Sequence, residues 1–152
     1  MKNLTATEVR KLLISLRACS NAREWADGKD LQTIWTTCLR GDWLLWLLGN
    51  MCKCNGWPDR KALVSAACNC ADLARPYIKT DEVLAAFDHC QNTARKWTRG
   101  EATIEEVRAA AYAEAAAAEA AAAYDAARNT SLQHSADIVR QTVNLTFEQE
   151  GR

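Results

Sequence analysis

Two closely spaced pairs of cysteines, Cys52-x-Cys54 and Cys68-x-Cys70, are the residues of this chain with the clearest potential for chemistry. Four thiolates can hold a zinc ion tetrahedrally. Residues two positions apart on a helix point in different directions, however, and both pairs fall in segments that we predict to be helical. Free cysteine is also among the most frequently buried residue types. We therefore interpret these cysteines as core residues and expect no metal ion and no cofactor.

A cysteine nucleophile activated by histidine is the second chemistry that the residue types allow. His89 is adjacent to Cys90, but neighbouring residues on a helix do not face one another, so His89 cannot activate Cys90 directly. His134 lies far from the cysteines in sequence, and no pattern assigns it to one of them. The chain also has no glycine-rich phosphate loop and no His-Glu-x-x-His motif. We expect a non-enzymatic protein without catalytic residues.

Helix-start signals recur along the chain, and no segment reads as a strand. Capping residues precede most of the apolar stripes: Thr5 (with Glu8), Asp30, Asp42, Asp59 and Thr103 (with Glu106). The pattern predicts one all-α domain over 1–152, a compact bundle of roughly seven or eight helices. Within it we expect a tryptophan- and cysteine-rich helical core at 5–98, a long alanine-rich helix at 103–128 and a C-terminal helix at 131–146. The helix that follows Asp59 should run to about Arg75 and bury Ala67.

The most apolar stretch is Arg40-Gly41-Asp42-Trp43-Leu44-Leu45-Trp46-Leu47-Leu48-Gly49. We expect Arg40 to end one helix, Gly41 to form a turn and Asp42 to cap the next helix. Because apolar residues occur all around this helix, we predict a central, fully buried helix that ends near Asn55. Four of the six tryptophans are then core residues: Trp35, Trp43, Trp46 and Trp97.

The start of the chain and its longest apolar run indicate a cytoplasmic protein, in a bacterial cell or a phage-infected host. Residues 1–5 lead into a polar amphipathic segment and not into the apolar centre of a signal peptide. The run at 43–48 is far shorter than the roughly 18 residues that span a bilayer, so we expect no membrane partner. The reducing cytoplasm would keep the seven cysteines as thiols.

Two regions are the candidates for binding a partner. The first includes Trp25, Asp27 and Lys29 around a predicted turn, together with Trp57 in a second turn; both tryptophans should be partly buried. The second is the segment 109–127, in which 14 of 19 residues are alanine. This segment is either a spacer or a docking helix. Its docking edge would carry Tyr112, Glu114, Glu119 and Tyr124.

The charge distribution leaves a second class of function open. Residues 1–99 contain 15 lysines and arginines against 10 acidic residues, and residues 100–152 contain 4 against 9. The basic half could serve a nucleic-acid-associated regulatory protein. No concentrated stripe of lysine and arginine is present, however, so complementary packing of the two halves is favoured over nucleic acid as a direct ligand.

Several segments in combination resemble a family of immunity proteins from bacteria and bacteriophages, the immunity-protein-five type with an alanine-rich helix. The matching segments are CSNAREWA (19–26), CLRGDWLLWLL (38–48), RKALVSAACNCADLARPYI (60–78), ARKWTRGEATIEEVRAAA (94–111) and SADIVRQTV (135–143). The resemblance implies a protein that binds a toxin, or a host defence effector such as a CRISPR nuclease, stoichiometrically and blocks it. It implies a protein partner, leaves a homodimer open and carries over no catalytic residue.

Overall fold

The computed structural model describes residues 1–115 and 132–147, and throughout these ranges the regular structure is helical, with no strand. The α-helices are α1 (Ala6–Ser15), α2 (Ser20–Ala26), α3 (Leu31–Thr37), α4 (Gly41–Met51), α5 (Arg60–Ala71), α6 (Asp81–Arg99), α7 (Ile104–Ala115) and α8 (132–142). A 3-10 helix at Asp72–Tyr77 joins α5 to α6. The prediction of an all-α helical fold is confirmed. The part of the predicted alanine-rich helix at 116–128 lies outside the described residues.

Local capping chemistry begins several of these helices where the sequence predicts it. The Thr5 hydroxyl accepts a hydrogen bond from the Glu8 amide, while the Glu8 carboxylate accepts one from the Thr5 amide at 2.8 Å. The hydrogen bond from the Thr5 amide, followed by those from the Lys2 ammonium and the Thr5 hydroxyl, lowers the pKa of the Glu8 carboxyl to about 2. Thr103 and Glu106 form the same reciprocal pair, and Asp30 caps α3. Each cap satisfies amide groups that have no partner within the first turn of a helix.

Helix α4 contributes to both apolar clusters of the core. The first cluster joins α1, α2, α3 and α4 through buried Val9, Leu13, Ala18, Ala26, Leu31, Ile34, Leu47 and Met51. The second joins α3, α4, α5 and the C-terminal region through Trp35, Cys38, Leu44, Leu48, Ala66, Ala136, Val139 and Val143. Because α4 supplies residues to both clusters, its position determines how the two parts of the core meet.

The prediction that α4 is buried on all sides is wrong. Its fully buried residues include Leu44, Leu47, Leu48 and Met51, which follow the i, i+3, i+4, i+7 spacing of a single helix face. Trp46 lies on the opposite face, and 37% of its surface is exposed. Composition alone does not distinguish the buried face of α4 from the exposed one, since apolar residues occupy both.

The N-terminus of α4 also differs from the prediction. The helix begins at Gly41, Arg40 is its N-cap residue without a side-chain capping bond, and Asp42 lies within the first turn. The Asp42 carboxylate accepts two hydrogen bonds from the Arg40 guanidinium, at 2.8 and 2.6 Å. The preceding helix α3 ends earlier, at Thr37. The Asp42 side chain therefore orients Arg40 in place of the expected cap.

Gly41 is required by the approach of α8. A Cβ atom at Gly41 would lie 2.4 Å from the Ser135 Cβ and 2.7 Å from the backbone nitrogen of Ala136. Such distances are not tolerated between carbon and backbone atoms, so only glycine fits without movement of one of the two helices. Arg140 of α8 reinforces this contact by donating hydrogen bonds to the carbonyl oxygens of Trp35 and Cys38, at 3.1 and 2.8 Å. These carbonyls lie at the C-terminal end of α3, where helices leave acceptors unsatisfied.

The central segments depart from the prediction in detail. After α4 the chain forms turns, so Cys52 and Cys54 are not helical. Cys54 is exposed, so its assignment to the core is wrong. Helix α5 ends at Ala71 and not at Arg75, because the chain tightens into the 3-10 helix that contains Pro76. Ala67 is exposed, and Cys68 is buried in its place. The buried face of α5 is therefore turned by about one residue from the predicted stripe.

Two glycines of α4 provide a matched test of this packing. We expect Gly41→Ala to lower the free energy of unfolding by about 1–3 kcal/mol, because the added methyl group overlaps α8. Gly49→Ala should raise it by about 0.5–1 kcal/mol, because its Cβ would meet only a Leu63 side-chain atom at 3.8 Å and alanine favours the helix. Urea unfolding followed by circular dichroism measures both values. Equal stability of the two variants would contradict the close approach.

Candidate partner-binding site

A cavity of about 390 Å³ opens between α1, α2 and the start of α4. Its walls are mostly apolar and are formed by Leu13, Arg17, Ala18, Cys19, Ala22, Trp25, Ala26, Ile34, Cys38, Asp42, Trp43, Leu44, Trp46 and Leu47. We call it the tryptophan cavity, because three of its wall residues are tryptophans. Its volume is in the range of roughly 300–1,000 Å³ that is usual for binding pockets.

Two of these tryptophans are held in place by contacts with each other and with cations. Trp25 and Trp43 meet edge to face, with ring centroids 6.1 Å apart and an interplanar angle of 60°. The Lys29 ammonium lies 4.7 Å from the Trp25 ring centroid, and the Arg40 guanidinium lies 4.7 Å from that of Trp43. Lys29 also donates a hydrogen bond to the Trp25 carbonyl oxygen. These attractive contacts reduce the freedom of the rings before any ligand binds.

Arg17 lies at the rim of the cavity in an unusual backbone conformation. Its φ angle is +57°, the left-handed region that costs an ordinary residue about 1–2 kcal/mol. The Arg17 amide donates to the Ile14 carbonyl oxygen and the Ala18 amide to that of Leu13, the pattern of a Schellman motif that ends α1. Glycine is the usual residue at this position. An arginine is therefore present where the backbone favours glycine.

Of the two charged side chains among the described residues that line the cavity, one is paired with a neighbouring charge and the other is not. Asp42 forms an ion pair with Arg40 at 2.6 Å, and both side chains are about one-third exposed. The exposed Arg17 side chain, by contrast, makes no ion pair or hydrogen bond within residues 1–115 and 132–147. The rim of the tryptophan cavity thus carries a positive charge that is available to a ligand.

A second depression of about 400 Å³ adjoins the cavity and shares Leu13 and Ala26 with it. It is bordered by Arg10, Ile14, Ser20, Arg23, Glu24 and Asp27. Ile14 is 52% exposed, which adds apolar surface on this side of α1. The ion pair between Arg10 and Asp27 is long, at 3.9 Å, and both side chains are largely exposed.

The structure brings three of the predicted site residues together and separates a fourth. Trp25 lines the tryptophan cavity, Lys29 covers its ring, and Asp27 borders the adjoining depression. Trp57 packs against both core clusters, as Trp25 does, but it lines a different pocket, beside Met1 and residues 144–146. Trp25 and Trp57 are both half-buried, as predicted.

The predicted edge of the alanine-rich segment is divided by the helix geometry. Tyr112 is 78% exposed, but Glu114 is buried at 9%, which corrects its assignment to the surface. Residues two positions apart on a helix are separated by about 200° around its axis, so Tyr112 and Glu114 face opposite sides. The pKa of the Cys90 thiol is raised to about 12, mainly by burial and secondly by a hydrogen bond with the Glu114 side chain. Glu119 and Tyr124 lie outside the described residues.

Sequence reasoning missed Arg17, Cys19 and Ala22, and it assigned the exposed Trp46 to the core. The spacing of Leu44, Leu47, Leu48 and Met51 contains the signal that places Trp46 on the outer face. Arg17 has no comparable local signal, because its left-handed conformation depends on how α1 ends against α2.

The basic half of the chain does not concentrate its charge. Several of its arginines are ion-paired with nearby carboxylates: Arg75 with Asp88, Arg95 with Asp72 and Arg99 with Glu101. Such pairs offset positive charge locally and leave less of it for a nucleic-acid backbone. Nucleic-acid binding therefore gains no support from a specific surface.

The cysteines differ in how deeply they are buried in the described part of the chain. All seven are free thiols, and no group of three or more histidine, cysteine or acidic side chains there is placed to hold a metal ion. Burial raises the pKa of the Cys38 and Cys68 thiols, and it raises that of Cys70 to about 11. These buried thiols are protonated near neutral pH and are poor nucleophiles.

Comparison of the chain with protein-family models, curated proteins and solved structures gave no significant match. The resemblance to immunity proteins thus remains an expectation from the sequence. Among the described residues, no helix is both long and apolar enough to cross a bilayer. The cavity and its charges are consequently the basis on which a function can be proposed.

Thiol labelling of the native protein tests the assignment of the cysteines. At pH 8 we expect a disulfide reagent to label the exposed Cys19 and Cys54 first. Cys68, Cys70 and Cys90 should react only after unfolding, because burial and raised pKa values keep them protonated. Mass spectrometry of peptides from timed samples identifies the order. Rapid labelling of Cys90 in the folded protein would contradict the packing of α7 on α6.

Proposed function

We propose that this protein is a non-enzymatic inhibitor that binds a protein partner stoichiometrically and occludes its active surface. The partner class implied by the sequence resemblance is a bacterial toxin or a host defence effector such as a nuclease, and the site of action is the cytoplasm. The observation that carries the proposal is the tryptophan cavity, with Trp46 exposed at its wall.

Preformed aromatic cavities suit protein recognition for a physical reason. Interface energy is concentrated in a few residues, often tryptophan or arginine, that surround or fill desolvated pockets. Here Trp25 and Trp43 are already restrained by Lys29 and Arg40, so binding requires little further ordering of the walls. The apolar lining supplies the driving force once an apolar group of the partner displaces water.

Occlusion needs no chemistry from the inhibitor. The face formed by α1, α2 and α4 would cover the partner, and the cavity would anchor one of its side chains. Cys38, the most deeply buried thiol of the cavity wall, has a raised pKa because of its burial and would remain protonated in such a complex. The predicted alternative surface around Tyr112 is the natural comparison, since it lies on α7 and not at the cavity.

Affinity capture with matched variants tests this function. We expect the wild-type protein to retain one partner at 1:1 stoichiometry and to inhibit that partner's activity at equimolar concentration. Trp46→Ala should weaken binding by about 2 kcal/mol, roughly thirtyfold in Kd, because it removes part of the cavity wall. Tyr112→Ala should bind as the wild type does.

Thermal unfolding must first show that both variants are folded, and size-exclusion chromatography must show whether the bait itself is a dimer. The inhibitor proposal fails if no retained protein is inhibited. It fails in its choice of surface if Tyr112→Ala, and not Trp46→Ala, abolishes capture.

A further inference from the structure

We infer that the tryptophan cavity recognises an acidic segment of the partner, with one large aromatic or aliphatic side chain in the cavity and a carboxylate beside it on Arg17. This inference rests on the proposed function, because it specifies the partner at the same site. It depends on three properties of the described residues: the apolar lining of the cavity, the cations that lie over two of the tryptophan rings, and the backbone conformation of Arg17.

The apolar lining determines which kind of partner side chain, the anchor, can enter the cavity. The lining combines buried aliphatic side chains, including Ile34, Leu44 and Leu47, with the less buried rings of Trp25, Trp43 and Trp46. A positively charged anchor would lose its hydration in such surroundings without gaining a free carboxylate, since Asp42 is already paired with Arg40. A large apolar side chain needs no polar partner there and gains free energy as its surface is removed from water.

The cations that lie over the tryptophan rings disfavour the binding of a basic segment. Lys29 and Arg40 occupy positions over Trp25 and Trp43 but do not line the cavity. The attraction of these rings for positive charge is thus already used, and a further cation would be repelled by two existing ones. The adjoining depression adds Arg10 and Arg23, against which Glu24 and Asp27 are the acidic groups. With Arg17 included, the positive charges along this face outnumber the negative ones.

Arg17 is the residue at which a carboxylate of the acidic segment would bind. Its side chain extends from the end of α1 at the rim and is exposed, with no ion pair or hydrogen bond to any part of the chain that the structure describes. A guanidinium in this state can form a two-point contact with a carboxylate. The left-handed backbone at Arg17 favours glycine for stability. The arginine side chain therefore contributes something other than stability at this position, and carboxylate binding is what its placement provides.

Blocked pentapeptides serve as the probes for this inference. One has a central phenylalanine flanked by aspartate and glutamate, a second has the same phenylalanine flanked by lysines, and a third has alanine at the centre of the acidic sequence. Binding is followed by the six tryptophan indole N–H signals in nitrogen-15 NMR spectra of the full chain, assigned by single tryptophan-to-phenylalanine substitutions.

We expect the acidic phenylalanine peptide to shift the signals of Trp25, Trp43 and Trp46 and to leave that of the buried Trp35 unchanged. It should bind at least about fivefold more tightly than the lysine peptide, as expected for an exposed charge contact. The alanine peptide should cause no shifts. Higher salt should reduce the difference between the acidic and the basic peptide.

Two substitutions separate recognition from folding. Arg17→Gly should show a clearly smaller preference for the acidic phenylalanine peptide while unfolding at a higher urea concentration, because glycine accepts the left-handed backbone. Arg17→Lys should recover part of the acidic preference. Ala22→Leu should fill the cavity and abolish the shifts, whereas Ala67→Leu on the exposed face of α5 is the matched control and should retain them.

Three results would overturn the inference: no shifts at Trp25, Trp43 and Trp46, equal affinity for the acidic and basic peptides, or an unchanged preference in Arg17→Gly. The outcome is distinguishable from that of the proposed function. Capture of an inhibited partner without peptide binding would reject the acidic segment and leave the inhibitor role. Selective peptide binding without any inhibited partner would retain the site and reject that role.

Discussion

The backbone of α8 crosses α4 so closely at Gly41 that no side chain fits between them. Ser135 and Ala136 occupy the space that a Cβ atom would need, and Arg140 binds the carbonyl groups at the end of α3 nearby. This contact joins residues almost a hundred positions apart and fixes where α4 begins. The start of α4 in turn determines which of its faces meets the two core clusters, and the remaining features follow from that orientation.

One consequence is that α4 has two different apolar faces. Leu44, Leu47, Leu48 and Met51 fill the core, while Trp46 faces the tryptophan cavity. Exposed aromatic surface such as that of Trp46 is unfavourable in an isolated protein. The cation contacts of Lys29 and Arg40 restrain the neighbouring Trp25 and Trp43. Together with the left-handed Arg17, this arrangement gives up some stability on a single face of the molecule. Such local departures from the most stable choice are typical of binding sites.

Two of the five sequence segments that resemble immunity proteins line this face. Segment 19–26 supplies Trp25 and Ala22, and segment 38–48 supplies Trp43 and Trp46. Segment 135–143 supports them from behind through its contact with Gly41. Residues that are scattered in the sequence therefore contribute either to the cavity or to the helix contact that positions it. The proposed inhibitor function would use the first group directly and depend on the second for geometry.

The sequence by itself determined the helical class and the local starts of helices, because capping pairs such as Thr5–Glu8 and Thr103–Glu106 act between residues three positions apart. It also predicted Trp25 and Lys29 as candidates for one binding region, and the structure places them in contact with each other. The tertiary structure alone decided that Gly41 is a packing residue and that Glu114 is buried. Each of these depends on which distant helix occupies the neighbouring space, and helical periodicity carries no information about a partner a hundred residues away.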